Sequence, residues 1–229
     1  MLEDNYTNVL KTIEETCRTC GRDPEGITLV AVSKTKPVTD IRTLYDMGHR
    51  DFGENYVQEL RQKREELPED IRWHMIGHLQ RNKVKYIAPY VAAIHTVDSL
   101  ALAETIDKEA AKCGRVIPVM IEVNVGREPT KYGVAPEEAA SLAEAVSGLE
   151  HLSLRGLMTS APYCDDPEED RVYFRELREL GVDINRKNLN NGSGAELSMG
   201  MSNDYRVAIE EGATSVRIGT ALFGQRHYD

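Results

Sequence analysis

"LVAVSKTKPV", residues 29–38, is the stretch on which the fold turns. Leu29 to Ser33 reads as a short buried strand, and a lysine then follows with no polar approach. Lysine is among the residues least often fully buried unless it is paired. Along an extended chain Val30, Val32 and Lys34 share one side, and Leu29, Ala31 and Ser33 the other. Either the ammonium meets water at the strand's end, or its amine has a chemical task.

The same unit recurs down the chain. After a leading helical segment, about residues 2–19, the strand candidates are "ITLVAVS", "RDFG", "RWHMIG", "AIHTVD", "VIPVMIEVNV", "LSLRGLMT", "AELSMG" and "TSVRIG". Between them lie amphipathic helix candidates, among them "VTDIRTLYDMG", "YVQELRQKREEL", "QRNKVKYIAPY" and "PEEDRVYFRELRELG". Several close on glycine, at Gly48, Gly114, Gly148, Gly181 and Gly212, where a left-handed cap is easiest. About eight strands alternating with helices behind one leading helix predict an α/β fold, a (β/α)8 TIM barrel spanning residues 1–229 as a single domain. A doubly wound open sheet is the alternative. "NRKNLNNGSG" has no period and is expected to be a loop.

Composition narrows the function classes. The 229 residues carry 28 Lys and Arg against 38 Asp and Glu, a formal charge of −10, which disfavours a nucleic-acid partner. No apolar run approaches the roughly 20 residues that cross a bilayer, so no membrane contact is expected. The acidic, amphipathic start "MLEDNYTNVLKTIEETC" lacks the grading of a signal peptide. Four cysteines make no disulfide framework, and a cytoplasmic location is expected. Cys17 and Cys20 form a C-x-x-C inside a helical pattern with no further ligands, so they read as helix-face residues and no metal is expected.

In a parallel barrel the C-terminal strand ends open on one face, where catalytic and binding groups collect. The residues at those exits are Lys34, Asn55, His78, Asp98, Asn124, Met158, Ser198 to Ser202 and Arg217 to Thr220. The last two exits have phosphate-binding character. "SMGMSND" sets Ser198, Gly200 and Ser202 before a helix, and "RIGTALFG" sets Gly219 and Thr220 at the start of another. Arg217 alternates with Val216 and Ile218 and can point inward. A desolvated lysine near a fixed cation favours the neutral, nucleophilic amine. Lysine, phosphate cradle and inward arginine together are a constellation for pyridoxal 5′-phosphate. Lys36 has the same parity as Lys34, but it precedes Pro37 and belongs to the loop; spacing alone does not separate the two.

"AVSKTKP", "FGENYVQE", "WHMIGHLQRNK", "LRGLMT", "LSMGMSNDY" and "VRIGTALFG" together closely resemble the pyridoxal phosphate homeostasis protein family, in order, from about residue 5 to residue 228. The resemblance implies a barrel like the N-terminal domain of alanine racemase, with the cofactor linked to Lys34 as an aldimine. It carries phosphate contacts onto Ser198, Ser202, Gly219 and Thr220, and the pyridine-nitrogen partner onto Arg217. Asn55 carries over as a pocket residue, and His78 as pocket lining. The function implied is to hold pyridoxal 5′-phosphate and contribute to its homeostasis without amino-acid turnover. The chain ends directly after the last barrel unit, so a second domain supplying an opposing acid/base is not expected, and Tyr228 is a poor substitute for one. The competing readings are an amino-acid racemase and a Schiff-base aldolase. Expected partners are the cofactor and the apo-enzymes that would receive it, with the chain a monomer. His74 and His95 read as satisfied core or rim histidines, and the methionines Met75, Met158, Met199 and Met201 as rim packing.

Overall fold

The computed structural model describes residues 1–189 and 194–225; part of the "NRKNLNNGSG" segment and Tyr228 fall outside these. Eight strands run β1 (Thr28–Val32), β2 (Asp51–Glu54), β3 (Arg72–Met75), β4 (Ala93–Val97), β5 (Ile117–Glu122), β6 (Leu152–Met158), β7 (Glu196–Ser198) and β8 (Ser215–Ile218). Each pairs in parallel with its successor, and β8 returns to β1 with Leu29 opposite Val216 and Val30 opposite Arg217, closing the barrel. The expected (β/α)8 barrel is therefore the fold, and the open sheet is excluded.

The helices are α1 (Leu2–Thr19), α2 (Val38–Asp46), α3 (Val57–Glu66), α4 (Leu100–Lys112), α5 (Ala139–Ser147), α6 (Arg171–Arg186), α7 (Tyr205–Glu210) and α8 (Thr220–Phe223). Their apolar positions recur at helical spacing, as in α6, which buries Phe174, Leu177, Gly181 and Ile184. Strand residues facing outward, Phe52 and Trp73 among them, are sealed beneath this layer. Each such side chain contributes about 1.5–3 kcal/mol relative to leaving it in water. The last helix has only four residues and covers little of the sheet. The leading helix α1 makes up the difference, packing against α2, α7 and α8.

Three of the five glycines expected to cap helices have φ of +97° (Gly48), +62° (Gly114) and +109° (Gly212). Gly148 closes α5 in a right-handed conformation, with φ −83°. Gly181 does not end its helix: α6 continues to Arg186, and an added Cβ there would lie 3.0 Å from Leu197 Cδ2. The segment "QRNKVKYIAPY" winds as a 3-10 stretch over Arg81–Tyr86 rather than as an α-helix. Pro89 disfavours helical geometry at the residue before it and supplies no N–H of its own.

Inside the barrel the two-residue alternation sends one face of each strand to the axis. A Cβ built on Gly53 would meet Val30 and Ile76 at 2.8 Å, which places those three positions together in the interior. Around them the interior is polar to an unusual degree. His74, His95, Ser198 and Arg217 stand on the same inward parity, and the last three are almost wholly buried.

Candidate functional site

At the C-terminal mouth of the barrel a cavity of about 270 Å³ is lined by Lys34, Asn55, Ser202, Arg217, Gly219 and Thr220, with Asp170, Asn203 and Asp204 among its further walls. Six of the seven residues read from the sequence therefore converge on one space. Ser198 does not join them. It closes the three-residue strand β7 one layer below the rim and is fully buried. Its hydroxyl accepts from Arg217 Nη1 at 2.7 Å and lies 2.9 Å from His95 Nδ1. The Ser198 hydroxyl, expected on the phosphate, is thus turned toward Arg217 and His95 and does not line the cavity. Ser202 reaches the mouth instead, and its Oγ accepts from the Ala221 N–H in the first turn of α8 at 3.0 Å.

Lys34 follows β1 and is half-buried at the cavity wall. The residues on either side of it are held from behind. Ser33 turns outward and its hydroxyl donates to Glu54 at 2.7 Å. Lys63 on α3 donates to the Ser33 carbonyl at 2.6 Å and to Glu54 and Glu59 at 2.7 Å each. Thr35 has φ +63°, rare for a residue with a branched side chain, and its N–H donates to Glu59 at 2.5 Å. The strand therefore ends in a turn that is clamped at both neighbours of Lys34. Lys36 also lines the cavity, but its ammonium donates to the carbonyls of Phe223 at 3.2 Å and Gly224 at 3.4 Å. Lys36 is thereby tied to the chain end that follows α8.

Arg217 lies across the floor, 4% exposed. Its acceptors are neutral: Ser198 Oγ, the Thr159 carbonyl at 2.7 Å and Ser160 Oγ at 3.3 Å. Burial lowers its pKa to about 10, against the pull of Glu122 and Asp204. It therefore remains a cation at neutral pH. Burial also raises Asp204 and Asp170, whose carboxyls border the same space. Cys164 beside them is pushed up to about 11, first by its hydrogen bond to Asp170, so its thiolate is scarce at neutral pH.

A larger chamber of about 710 Å³ adjoins the first and shares Asn55, Ile76 and Ser160 with it. His78 lines this chamber rather than the cavity at Lys34, stacked on Tyr132 with ring centroids 3.8 Å apart. Glu122 also lines it, at the end of β5 and 9% exposed. Burial, reinforced by Asp98, raises Glu122 to about 7. Asn124, the exit read from the sequence here, lines the same chamber, and its side chain brackets the Glu128 backbone. A single carboxylate inside the apolar run "VIPVMIEVNV" was the same kind of signal as Lys34, and parity from it finds Glu122.

The backbone at the mouth is close-packed. A Cβ on Gly77 would lie 2.3 Å from the Asn55 carbonyl oxygen. Only glycine lets β3's exit pass that near β2's and set Asn55 at the wall.

Residues 10–227 match the family model for the N-terminal domain of alanine racemase. A pyridoxal phosphate homeostasis protein of Aquifex aeolicus is 47% identical over 226 residues, 98% of each chain. The chain belongs to the pyridoxal phosphate homeostasis protein family. The family's Pseudomonas aeruginosa member is 43% identical over 229 residues, covering 99% of this chain and 96% of that one. Among solved structures, PipY of Synechococcus elongatus with PLP bound superposes with a TM-score of 0.80 at 36% identity, over 93% of this chain and 100% of that one. No helix among the described residues is long and apolar enough to cross a membrane, and no group of three or more His, Cys, Asp or Glu among them is arranged to hold a metal ion.

Proposed function

We propose that this chain holds pyridoxal 5′-phosphate in the mouth of the barrel and serves the homeostasis of that cofactor rather than the turnover of amino acids. One observation carries the reading: a single cavity gathers a lysine amine, the hydroxyl-bearing turn at Ser202 and Thr220, and a buried guanidinium. The donor set fits the cofactor at both ends. Ser202, Gly219 and Thr220 would hold the phosphate, Lys34 the aldehyde carbon and Arg217 the ring nitrogen, with Asn55 on the wall. When bound, the cofactor supplies an aldehyde that condenses with a primary amine and a ring that accepts electrons.

The chain's own residues favour holding. Arg217 keeps its proton at neutral pH, because its pKa near 10 leaves little of the neutral form. It can orient a ring nitrogen but does not hand it a proton, and the ring is then a weaker electron sink than one paired with a carboxylic acid. The clamp behind Ser33 and Thr35 holds the Lys34 backbone in one place. On this reading the protein is a cytoplasmic monomer that passes its cofactor to apo-enzymes. Light scattering should return a single-chain mass of 25.7 kDa.

The purified protein is expected to be yellow, to lose that colour on borohydride reduction, and to yield one pyridoxyl-modified peptide, at Lys34. A colourless protein trapped only in the presence of a sugar phosphate would instead be a Schiff-base aldolase. Catalytic racemisation of free amino acids by the loaded protein would overturn the holding role. Ser202→Ala should weaken cofactor retention about fivefold, ~1 kcal/mol for one hydroxyl contact. Dialysis against excess apo-enzyme reads that loss, and an unchanged rate would move the phosphate away from Ser202.

A further inference from the structure

The barrel core carries a line of polar side chains that the proposed role leaves unused. It starts at the end opposite the mouth, where Asp51 is gripped by Arg72 through Nε at 2.8 Å and Nη2 at 2.5 Å. His74 Nε2 lies 3.0 Å from Asp51 Oδ1, and His74 Nδ1 lies 2.9 Å from His95 Nε2. His95 Nδ1 lies 2.9 Å from Ser198 Oγ, which accepts from Arg217 at 2.7 Å. Four consecutive contacts thus join the floor of the barrel to the guanidinium under the mouth. A cavity of about 340 Å³ opens at the floor end, lined by Asp51, Arg72, His74 and His95, with Arg155 and Glu196 across from them.

Partner chemistry fixes where each proton sits. Burial works to raise Asp51, but hydrogen bonds from Arg72 and His74 override it and hold the carboxyl well below the usual range. Asp51 is therefore an acceptor, and His74 must donate to it from Nε2. One arrangement gives every donor along the line an acceptor: His74 Nδ1 carries a lone pair and accepts from His95 Nε2–H. Burial lowers His95 well below the ordinary histidine value, and the Arg217 cation works in the same direction, so this ring is neutral. Its Nδ1 then accepts from the Ser198 hydroxyl, whose lone pair accepts from Arg217. Every donor meets an acceptor and every bond points the same way, from Arg217 to Asp51. A charged His74 would reverse His95, and the proton of the fully buried Ser198 would lose its acceptor, where an unmade hydrogen bond is costly.

We propose that His74, His95 and Ser198 are positioning residues, forming a one-way hydrogen-bond relay that fixes the Arg217 guanidinium beneath the cofactor and leaves its charge uncancelled by direct contact with any carboxylate among the described residues. Neutral acceptors orient the guanidinium without neutralising it, so the full cation faces the ring. The relay thereby sets the electrostatics of the pocket from the barrel core. The assignment of Arg217 to the ring nitrogen rests on the proposed function; the relay's proton order does not.

Two measurements test it. In ¹⁵N-labelled protein without added cofactor, two-bond nitrogen–proton correlation spectra at pH 7.5, assigned with His74→Gln and His95→Gln, should show both rings protonated on Nε2 and bare on Nδ1. A proton on His95 Nδ1, or two protons on His74, would overturn the relay whatever the cofactor does. In the loaded protein, Ser198→Ala should move the cofactor's absorption maximum and speed its release about tenfold, while Ser198→Thr restores both. Ser202→Ala should speed release without moving the band. An unmoved band and release rate in a folded Ser198→Ala protein would remove Ser198 from the relay; should that variant not fold, the nitrogen spectra alone decide.

Discussion

Lys34→Ala is expected to abolish covalent cofactor capture altogether. Borohydride should trap none of the cofactor, and the visible absorbance should vanish. The helix signal in the far ultraviolet should persist, because Lys34 is half-buried at the rim and belongs to no strand. Its loss opens no core cavity of the kind that destabilises large-to-small substitutions. Lys36 cannot take over without breaking its bonds to the Phe223 and Gly224 carbonyls. Lys34→Arg is the informative companion. It keeps a cation at the rim but offers a guanidinium, which stays protonated and is no nucleophile. It should hold cofactor only through the phosphate end and Arg217, so that gel filtration strips it. Retained yellow colour in Lys34→Ala, with a pyridoxyl adduct on Lys36, would reassign the linkage.

Much of this architecture was legible from residue order. Eight short apolar segments spaced by helical periods specify a barrel because each strand interior is aliphatic on one face and each helix on one stripe. Reading the residue at each strand exit then found Lys34, Asn55, Ser202, Arg217, Gly219 and Thr220. What alternation does not carry is depth. Ser198 and Ser202 are equivalent as letters in "SMGMSND", but β7 has three residues and the loop after it rises to the rim. One serine therefore ends inside the barrel and the other at its mouth. His74 and His95 looked like satisfied core histidines, which their burial supports. Their alignment end to end needs the third dimension, because a separation of 21 positions hides a register in which β3 and β4 are neighbours. Lys63 was invisible for a similar reason. In "RQKREE" it reads as part of a solvated charged face, yet it is 6% exposed because α3 turns that one position under β1 and β2.

That buried lysine supports the second large effect. Lys63 faces Glu54, which is fully buried, and Glu54 Oε2 has no hydrogen-bond partner among the described residues. Removing one member of a buried ion pair strands the other, at a cost of about 3–5 kcal/mol. Lys63→Met keeps the apolar stem and removes the ammonium, so at pH 8 the protein should lose roughly that much, a fall of about 10 °C in Tm for a chain this long. The loss should shrink as pH falls, and the sign follows from Glu54. Burial outweighs the pull of Lys63 and raises Glu54 to about 7 in the folded protein, from an ordinary 4.5. A carboxyl that binds its proton more tightly when folded contributes most below pH 4.5 and loses that contribution as pH rises through 7. Without Lys63 the folded pKa climbs further, so the penalty is largest where wild-type Glu54 is ionised and smallest where both proteins hold it neutral. Urea melts of Lys63→Met at pH 5 and pH 8 should therefore differ by about 2 kcal/mol relative to wild type, and Glu54→Gln in the same background should erase the difference. Equal losses at the two pH values would mean that Glu54 does not carry the charge that Lys63 answers. Lys63 also holds the Ser33 carbonyl, so the same variant should release cofactor faster at pH 8. The clamp that stabilises the fold is the one that aims Lys34.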